Sequence, residues 1–282
     1  MSAMSLDEAQ AILADRNLIA VGVRGDEERR RRHGARTTFV RVFEVHTDAI
    51  PSALPANASA GEIRVTGMPQ SVASAIASVK AARALAGSVP LSAYSLADLL
   101  ELAGGATASL TDLAARLAAA GLSIVAEAPI DRLQDAVSAV RAARDGGLQV
   151  PRLTVHQPTD GDPLRLVALA RDIQASAGGV HAFAPLPRVS SVAQPSTGYD
   201  DVKQIAVARL LADNIDSIQV DWALYGPKLA QVALTMGADD VDAVSPLEGD
   251  LGRRRSPLEE IRGNIHAAGL DAVERDASWR TR

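Results

Sequence analysis

Short runs of β-branched and apolar residues alternate with longer amphipathic segments along almost the whole chain. Each long segment repeats apolar residues at a spacing of three to four, as SVASAIASVKAARALAG at 71–87 does, which is typical of a helix packed on one face. The short runs end at turn residues, which favours buried strands. The pattern predicts eight strands, at 37–46, 62–67, 91–96, 123–128, 152–157, 180–186, 217–226 and 240–246.

Helical segments separate these strands, so neighbouring strands should run parallel and be joined by right-handed crossovers. Eight such units predict one α/β domain, a (β/α)8 barrel of the TIM type. Residues 1–36 are then a helical lead-in, 37–246 the barrel, and 247–282 a closing helix and tail. An open doubly wound sheet is the alternative, but no G-x-G-x-x-G fingerprint follows the first strand to support it.

Composition narrows the choice of partners and compartment. The formal net charge is −5, and the one basic run, at 29–33, follows three acidic residues, so nucleic-acid binding is disfavoured and a solvated helix face is expected there. No apolar stretch of about 18 residues and no apolar signal region are present, which predicts a cytoplasmic protein without a membrane span. The chain contains no cysteine, which excludes disulfides and thiolate ligands.

The C-terminal third carries a family resemblance in the segments HAFAPLP (181–187), STGYDDVKQIAVARLLADNI (196–215), YGPKLAQVALTMGADDVDAV (225–244) and AVERD (272–276). These segments resemble aminofutalosine synthase, a radical SAM enzyme of the futalosine route to menaquinone. They resemble its sisters, dehypoxanthine futalosine cyclase and the deazaflavin-forming FO synthase, more loosely. The resemblance implies a barrel of the radical SAM kind, and it is dense only after about residue 178.

In that family, as the resemblance implies, a C-x3-C-x2-C motif after the first strand holds a 4Fe–4S cluster that cleaves S-adenosylmethionine. Here the corresponding segment reads TDAIPSALPANASAG at 47–61, and Asp48 is its one carboxylate. Alanine and serine are not soft anionic ligands and cannot replace three thiolates. We therefore expect neither the cluster nor the cofactor, and interpret the segment as a mobile or shortened remnant rather than a working lid.

Candidate site residues lie at the predicted C-terminal ends of strands, where barrel active sites form. The catalytic candidates are His46, Glu127, His156 and Asp221. A salt-bridged structural role is the plainer interpretation of Glu127. His46, Glu127 and His156 would supply the three protein ligands of a catalytic zinc, but no spacing supports their convergence, and no metal site is predicted.

The ligand-binding candidates are Gly67, Arg64, Trp222 and Tyr225. Gly67 belongs to the turn that in the family approaches the cofactor, as the resemblance implies. Arg64, like Arg41, suits a carboxylate, although pairing with a neighbouring glutamate is the alternative. Trp222 would either stack on a small aromatic ligand or plug the barrel.

Three functions remain open from the sequence, and whether the chain is an enzyme is not decided. The first is a non-catalytic homologue that acts as a ligand binder or partner subunit, as a homo-oligomer or in a complex with an active futalosine-pathway homologue. The second is an enzyme in which acid–base or metal chemistry has replaced radical chemistry. The third is a radical SAM transferase whose cluster thiolates come from another chain.

Overall fold

Eight parallel strands close into a barrel in the computed structural model, which describes residues 4–157, 162–189, 198–248 and 257–282. Each strand pairs with the next along the chain, and the eighth pairs with the first. The strands are β1 (Arg36–His46), β2 (Glu62–Thr66), β3 (Leu91–Ser95), β4 (Ile124–Pro129), β5 (Arg152–Val155), β6 (Ala182–Pro187), β7 (Ser217–Asp221) and β8 (Asp240–Val244). The predicted (β/α)8 barrel is confirmed.

Helices follow the strands and form the outer layer. They are α1 (Leu6–Ala14), α2 (Leu18–His33), α3 (Val72–Ala86), α4 (Leu96–Leu102), α5 (Thr107–Ala119), α6 (Ala136–Asp145), α7 (Pro163–Ala177), α8 (Gly198–Leu211), α9 (Trp222–Leu234) and α10 (Pro257–Ala267). In α3, Ser71 and Ser74 form a capping box, and the buried residues from Ala75 to Ala86 recur at helical spacing. No helix in the described part of the chain is long and apolar enough to cross a membrane.

A ninth strand, β9 (Asp271–Glu274), pairs with the first half of β1, below the point where β2 pairs with the second half. The sequence pattern predicts only a tail here. The four residues are all at least partly exposed, and therefore show no core pattern. Their pairing with β1, and the ion pair of Arg275 with the buried Asp240 at 2.6 Å, hold the segment at the bottom of the barrel.

The barrel interior is charged. Side chains alternate between the two faces of each strand, so Ile63 and Val65 pack outward against helices while Glu62 and Arg64 point inward. In β8, Asp240 and Asp242 point inward by the same alternation. TIM barrels usually fill this space with branched apolar side chains. Here the apolar core lies between the strands and the helices, and the centre is filled by ion pairs.

Two expectations are wrong in detail. The predicted strand at 217–226 ends at Asp221, because the Asp221 carboxylate accepts a hydrogen bond from the amide of Leu224 and begins a helix there. That helix kinks at Gly226, where φ is +72°. The basic run is also not wholly solvated, since Arg29 is fully buried and donates to Asp26 and to the carbonyl of Gly34.

Candidate functional site

A cavity of about 330 Å³ opens at the barrel mouth, which is the end formed by the C-termini of the strands. Part of its wall is apolar and includes Val65, Ala126, Leu224 and Ala243. The remaining wall is dominated by charge, with three arginines and four carboxylates, namely Arg64, Arg152, Arg188, Glu44, Asp98, Glu127 and Asp221. Such a mixture of an apolar surface and convergent polar groups is typical of a small-molecule site.

Four buried side chains form the floor of the cavity: Glu62, Arg64, Arg152 and Asp242. Arg64 Nε and Nη2 donate to the two carboxylate oxygens of Glu62, at 2.8 and 3.0 Å. Arg64 Nη2 and Nη1 also donate to Asp242, at 2.8 and 3.2 Å. Arg152 donates to Asp242 and to the carbonyl of Ala126. Asp242 therefore bridges two guanidinium groups with no exposed surface of its own.

Electrostatics keep the floor ionised. Burial opposes ionisation of Asp242, but attraction to Arg152 and Arg64 outweighs it and holds the pKa of that carboxyl well below its usual range. Burial likewise opposes ionisation of Glu62, yet Arg64 and Arg152 lower the pKa of its carboxyl. Burial also disfavours charge on Arg64, but Asp242 and Glu62 raise the pKa of its guanidinium well above normal. Burial lowers the pKa of the Arg152 guanidinium, but an arginine still keeps its proton at neutral pH, so the floor holds two positive and two negative charges.

A second set of charges, the rim, lies above the floor and consists of Arg188, Glu127, Asp221 and Glu44. Arg188 Nη1 donates to Asp221, and its Nε lies 3.2 Å from Glu127 Oε2. Glu44 Oε1 lies 3.6 Å from Arg64 Nη1, and its side chain is 55% exposed. Burial opposes the charge on Arg188, but Glu127 and Asp221 raise the pKa of its guanidinium. The rim thus joins β1, β4, the end of β6 and β7 around one cavity.

Two non-glycine residues that line the cavity have left-handed backbone conformations. Tyr94 at the end of β3 has φ of +60°, and Ala243 in β8 has φ of +57°. Such conformations cost roughly 1–3 kcal/mol each and persist where the surrounding structure holds them. The Tyr94 hydroxyl is held by the Ala75 carbonyl and by Thr47, each at 3.2 Å. Backbone strain therefore coincides with the cavity.

The structure brings four of the eight candidate residues to the cavity: Arg64, Gly67, Glu127 and Asp221. Arg64 pairs with Glu62, the kind of neighbouring glutamate named in the paired-charge alternative, and with Asp242. Gly67 has φ of +84°, and a Cβ there would lie 2.4 Å from Nε2 of His46. The turn after β2 therefore favours glycine, because this left-handed conformation strains any residue with a Cβ.

The other four candidates lie outside the cavity lining. The imidazole of His46 is exposed and lies 3.7 Å from Asp48. Among the residues that the structure describes, no three His, Asp or Glu side chains are placed to hold a metal ion, so His46, Glu127 and His156 do not form the zinc-type site considered above. Trp222 and Tyr225 pack against the apolar core, and the Tyr225 hydroxyl donates to the carbonyl of Pro187 at 2.5 Å.

Sequence reasoning missed Arg152, Arg188 and Asp242, which are three of the eight charged side chains in the floor and rim. A signal was present for two of them: Arg152 in RLTV and Asp242 in DVDAV are charged residues inside short strands, and a charge at an inward position needs a partner. Arg188 lies one residue beyond β6 and gave no such signal.

Comparison with known proteins gives relatives for this chain. Residues 180–279 match the family model described as the CofH/MqnC C-terminal region. Aminodeoxyfutalosine synthase of Thermus thermophilus is 32% identical over 55% of this chain and 49% of its own length. The 5-amino-6-(D-ribitylamino)uracil–L-tyrosine 4-hydroxyphenyl transferase 1 of Methanosarcina barkeri is 31% identical over 44% of this chain and 38% of its own length. This chain is homologous to both.

The resemblance to aminofutalosine synthase is thereby confirmed, although the chain spans only about half the length of these curated relatives, or less. Among solved structures, methylornithine synthase (PylB) superposes with a TM-score of 0.65, at 14% identity over 96% of this chain and 94% of that one. The FeFe-hydrogenase maturase HydG from Carboxydothermus hydrogenoformans gives 0.67 at 13% identity, over 99% and 78%. These two likenesses concern the fold.

The segment after β1 does not fit the cluster that the family resemblance implies. Residues 47–61 carry no thiolate, and Asp48 is their one ionisable side chain. The segment is instead tied to the residues after β8: Ala58 forms an antiparallel bridge with Leu247, and the amide of Ser59 donates to the carbonyl of Pro246 at 2.8 Å. Arg41 also donates to Ser59, while its ion pair is with Glu274. These contacts fasten the segment to the residues that follow β8 and to β1.

Proposed function

We propose that this chain is a non-catalytic homologue of aminodeoxyfutalosine synthase that binds a small organic molecule at the barrel mouth. The observation that carries the proposal is the cavity of about 330 Å³ in a chain without any cysteine. A cavity rimmed by convergent charge is retained, whereas the chain itself cannot supply the thiolates that a 4Fe–4S cluster requires. We propose a role in menaquinone biosynthesis through the futalosine pathway, and the homology to aminodeoxyfutalosine synthase supports this proposal.

The backbone at the mouth supports a binding role over a purely structural one. A barrel used only as a scaffold gains nothing from the left-handed conformations at Tyr94 and Ala243, which a collapsed and apolar mouth would not need. Tyr94 also keeps its proton, because burial raises the pKa of its hydroxyl. The Tyr94 hydroxyl therefore forms an uncharged part of the cavity wall, hydrogen-bonded to Thr47, and does not act as a base.

Anaerobic reconstitution with iron and sulfide tests the loss of radical chemistry. The Thermus thermophilus aminodeoxyfutalosine synthase, treated in parallel, is the positive control. We expect that this protein retains no stoichiometric iron, shows no charge-transfer absorbance and does not cleave S-adenosylmethionine. Bound iron that supports cleavage of the cofactor would contradict the proposal. Turnover of a substrate without iron would favour the acid–base enzyme instead.

Association with another protein is part of the proposal. Ile19 and Val23 lie one helical turn apart on α2, with 81% and 50% of their surfaces exposed, and outward apolar side chains of this kind suit an interface. Lys203 lies in the segment 196–215 that carries the family resemblance and is used within the chain, since its Nζ donates to the carbonyl of Leu13. Light scattering coupled to size exclusion, alone and with an active futalosine-pathway homologue, measures the mass. A strictly monomeric mass in both runs would contradict association.

A further inference from the structure

Each floor arginine is already ion-paired with a buried carboxylate. All three guanidinium nitrogens of Arg64 donate to Glu62 or Asp242, and all three of Arg152 donate to Asp242 or to the carbonyl of Ala126. On the rim, Arg188 is also surrounded by acids, with Asp221 on Nη1, Glu127 beside Nε and Asp242 3.8 Å from Nη2. Its Nε is buried and makes no hydrogen bond to the described residues, so Glu127 compensates its charge only as an ion pair, at 3.2 Å. Each positive charge at the cavity is therefore already neutralised by a carboxylate.

Two carboxylates at the cavity, by contrast, have oxygen atoms that are not used in hydrogen bonds to described residues. Within the described part of the chain, neither Glu44 nor Glu127 accepts a hydrogen bond; each has one arginine at ion-pair distance, 3.6 Å for Glu44 and 3.2 Å for Glu127. Their side chains are 55% and 28% exposed. An ionised carboxylate accepts hydrogen bonds through both oxygens, so four oxygen atoms at the mouth have acceptor capacity to spare.

The overall charge of the site is also negative. Among the described residues of the lining, the floor and their ion-pair partners, six carboxylates meet four guanidinium groups: Glu44, Glu62, Asp98, Glu127, Asp221 and Asp242 against Arg64, Arg132, Arg152 and Arg188. The cavity therefore has a net negative charge and attracts cations. Apolar wall residues such as Val65, Leu224 and Ala243 provide contact for an uncharged body attached to the cation.

We infer that the ligand of the barrel mouth is an organic cation, an amine or guanidine protonated at neutral pH, with a compact apolar body and no carboxylate. This inference rests on the ligand-binding function proposed above. The cation sits between Glu44 and Glu127 and donates to their spare oxygens through charge-assisted hydrogen bonds. A ligand carboxylate would meet these two acids and find no described guanidinium that is not already paired.

Three probes of similar size and different charge test the inference: benzylammonium, benzyl alcohol and benzoate, titrated calorimetrically into the full chain at low salt. We expect benzylammonium to bind at least about tenfold more tightly than benzoate, because like charges oppose each other at the site. The preference should shrink as salt is added, since screening weakens exposed charge pairs. Equal or tighter binding of benzoate or benzyl alcohol would overturn the inference while leaving a ligand-binding function intact. Binding of none of the three at millimolar concentration would count against both.

Variants that replace one carboxylate by an uncharged amide test where the cation binds. Glu127→Gln should weaken benzylammonium binding several-fold and strengthen benzoate binding, because it leaves Arg188 with less opposing charge. Glu44→Gln should weaken the binding of benzylammonium and leave the binding of benzoate unchanged. Glu101→Gln, at an exposed position on α4 away from the cavity, is the matched control and should change neither. Thermal midpoints confirm that the variants fold. An unchanged preference in folded Glu127→Gln and Glu44→Gln proteins would refute the cation site.

Discussion

Substitution of Asp242 by asparagine is the sharpest test of the charged floor. The asparagine side chain has nearly the same shape but removes the charge that opposes both Arg64 and Arg152. Glu62 then remains as the one floor carboxylate for two buried guanidinium groups. Removing one partner of a buried ion pair typically costs about 3–5 kcal/mol, because the other charge is left buried without compensation. We expect a loss of stability of this size for Asp242→Asn.

Urea and thermal unfolding measure the loss, which for a chain of this size corresponds to a fall in Tm on the order of 10 °C. Asp172→Asn is the matched control: the Asp172 side chain is 65% exposed and lies 3.9 Å from Arg171. A surface pair of this kind contributes roughly 0–1 kcal/mol. Combining Asp242→Asn with Arg152→Met should cost less than the two single changes added together, by about 1–3 kcal/mol, because the double variant leaves Arg64 and Glu62 as a neutral pair.

The pH dependence provides an independent check. The pKa of the Asp242 carboxyl is lower in the folded protein than in the unfolded chain, where it is about 4. Its stabilising contribution is therefore fully present above that pH and is lost as pH falls from about 4 toward the folded pKa. The variant should lack this part of the acid dependence. If Asp242→Asn lost no more stability than Asp172→Asn, or kept the parent acid dependence, the account of the floor would be wrong.

Two further predictions concern other buried contacts. Arg275→Met removes the ion pair with the fully buried Asp240 and should cost about 3–5 kcal/mol in urea unfolding. Arg280→Met, at an exposed position in the same tail, should stay within about 0.5 kcal/mol of the parent, and equal losses would show that the buried pair is unimportant. Gly25→Ala should cost about 1–3 kcal/mol, since a Cβ there would lie 2.2 Å from a carbonyl oxygen. Gly263→Ala should stabilise the protein by about 1 kcal/mol, because Gly263 lies inside a helix and a Cβ there would meet no neighbouring atom in the described part of the chain. A lower Tm for Gly263→Ala than for Gly25→Ala would contradict this prediction.

The barrel could be predicted from the sequence because its repeat of strand and helix is local. Each strand carries its own apolar run and each helix its own face, so eight units could be counted without knowing any tertiary contact. Local chemistry also explains the misplaced end of β7. The apolar and aromatic residues after Asp221 suit a strand by composition, but the carboxylate of Asp221 caps a helix instead.

The charged floor could not be assembled in the same way. Arg64 and Asp242 are 178 residues apart in the chain, and Arg152 and Asp242 are 90 apart. Inward alternation in EIRVT and DVDAV predicts that these charges are buried, but it does not indicate which of them meet. The sequence also did not indicate whether His46 and His156 come close to each other. In the structure His46 is exposed, and both imidazoles lie outside the cavity lining.

The linked floor has a consequence for how this pocket can diversify. A single change of charge in the floor leaves a buried partner without compensation, and this holds for Glu62, Arg64, Arg152 and Asp242. A different floor therefore requires two coordinated substitutions, and the protein that carries only the first of them is unstable. Partly exposed acids such as Glu44 and Glu127 are under no such restriction. A library randomised at the rim should therefore yield many folded proteins with altered ligand preference. A library randomised at the floor should yield few, and the survivors should retain charge balance.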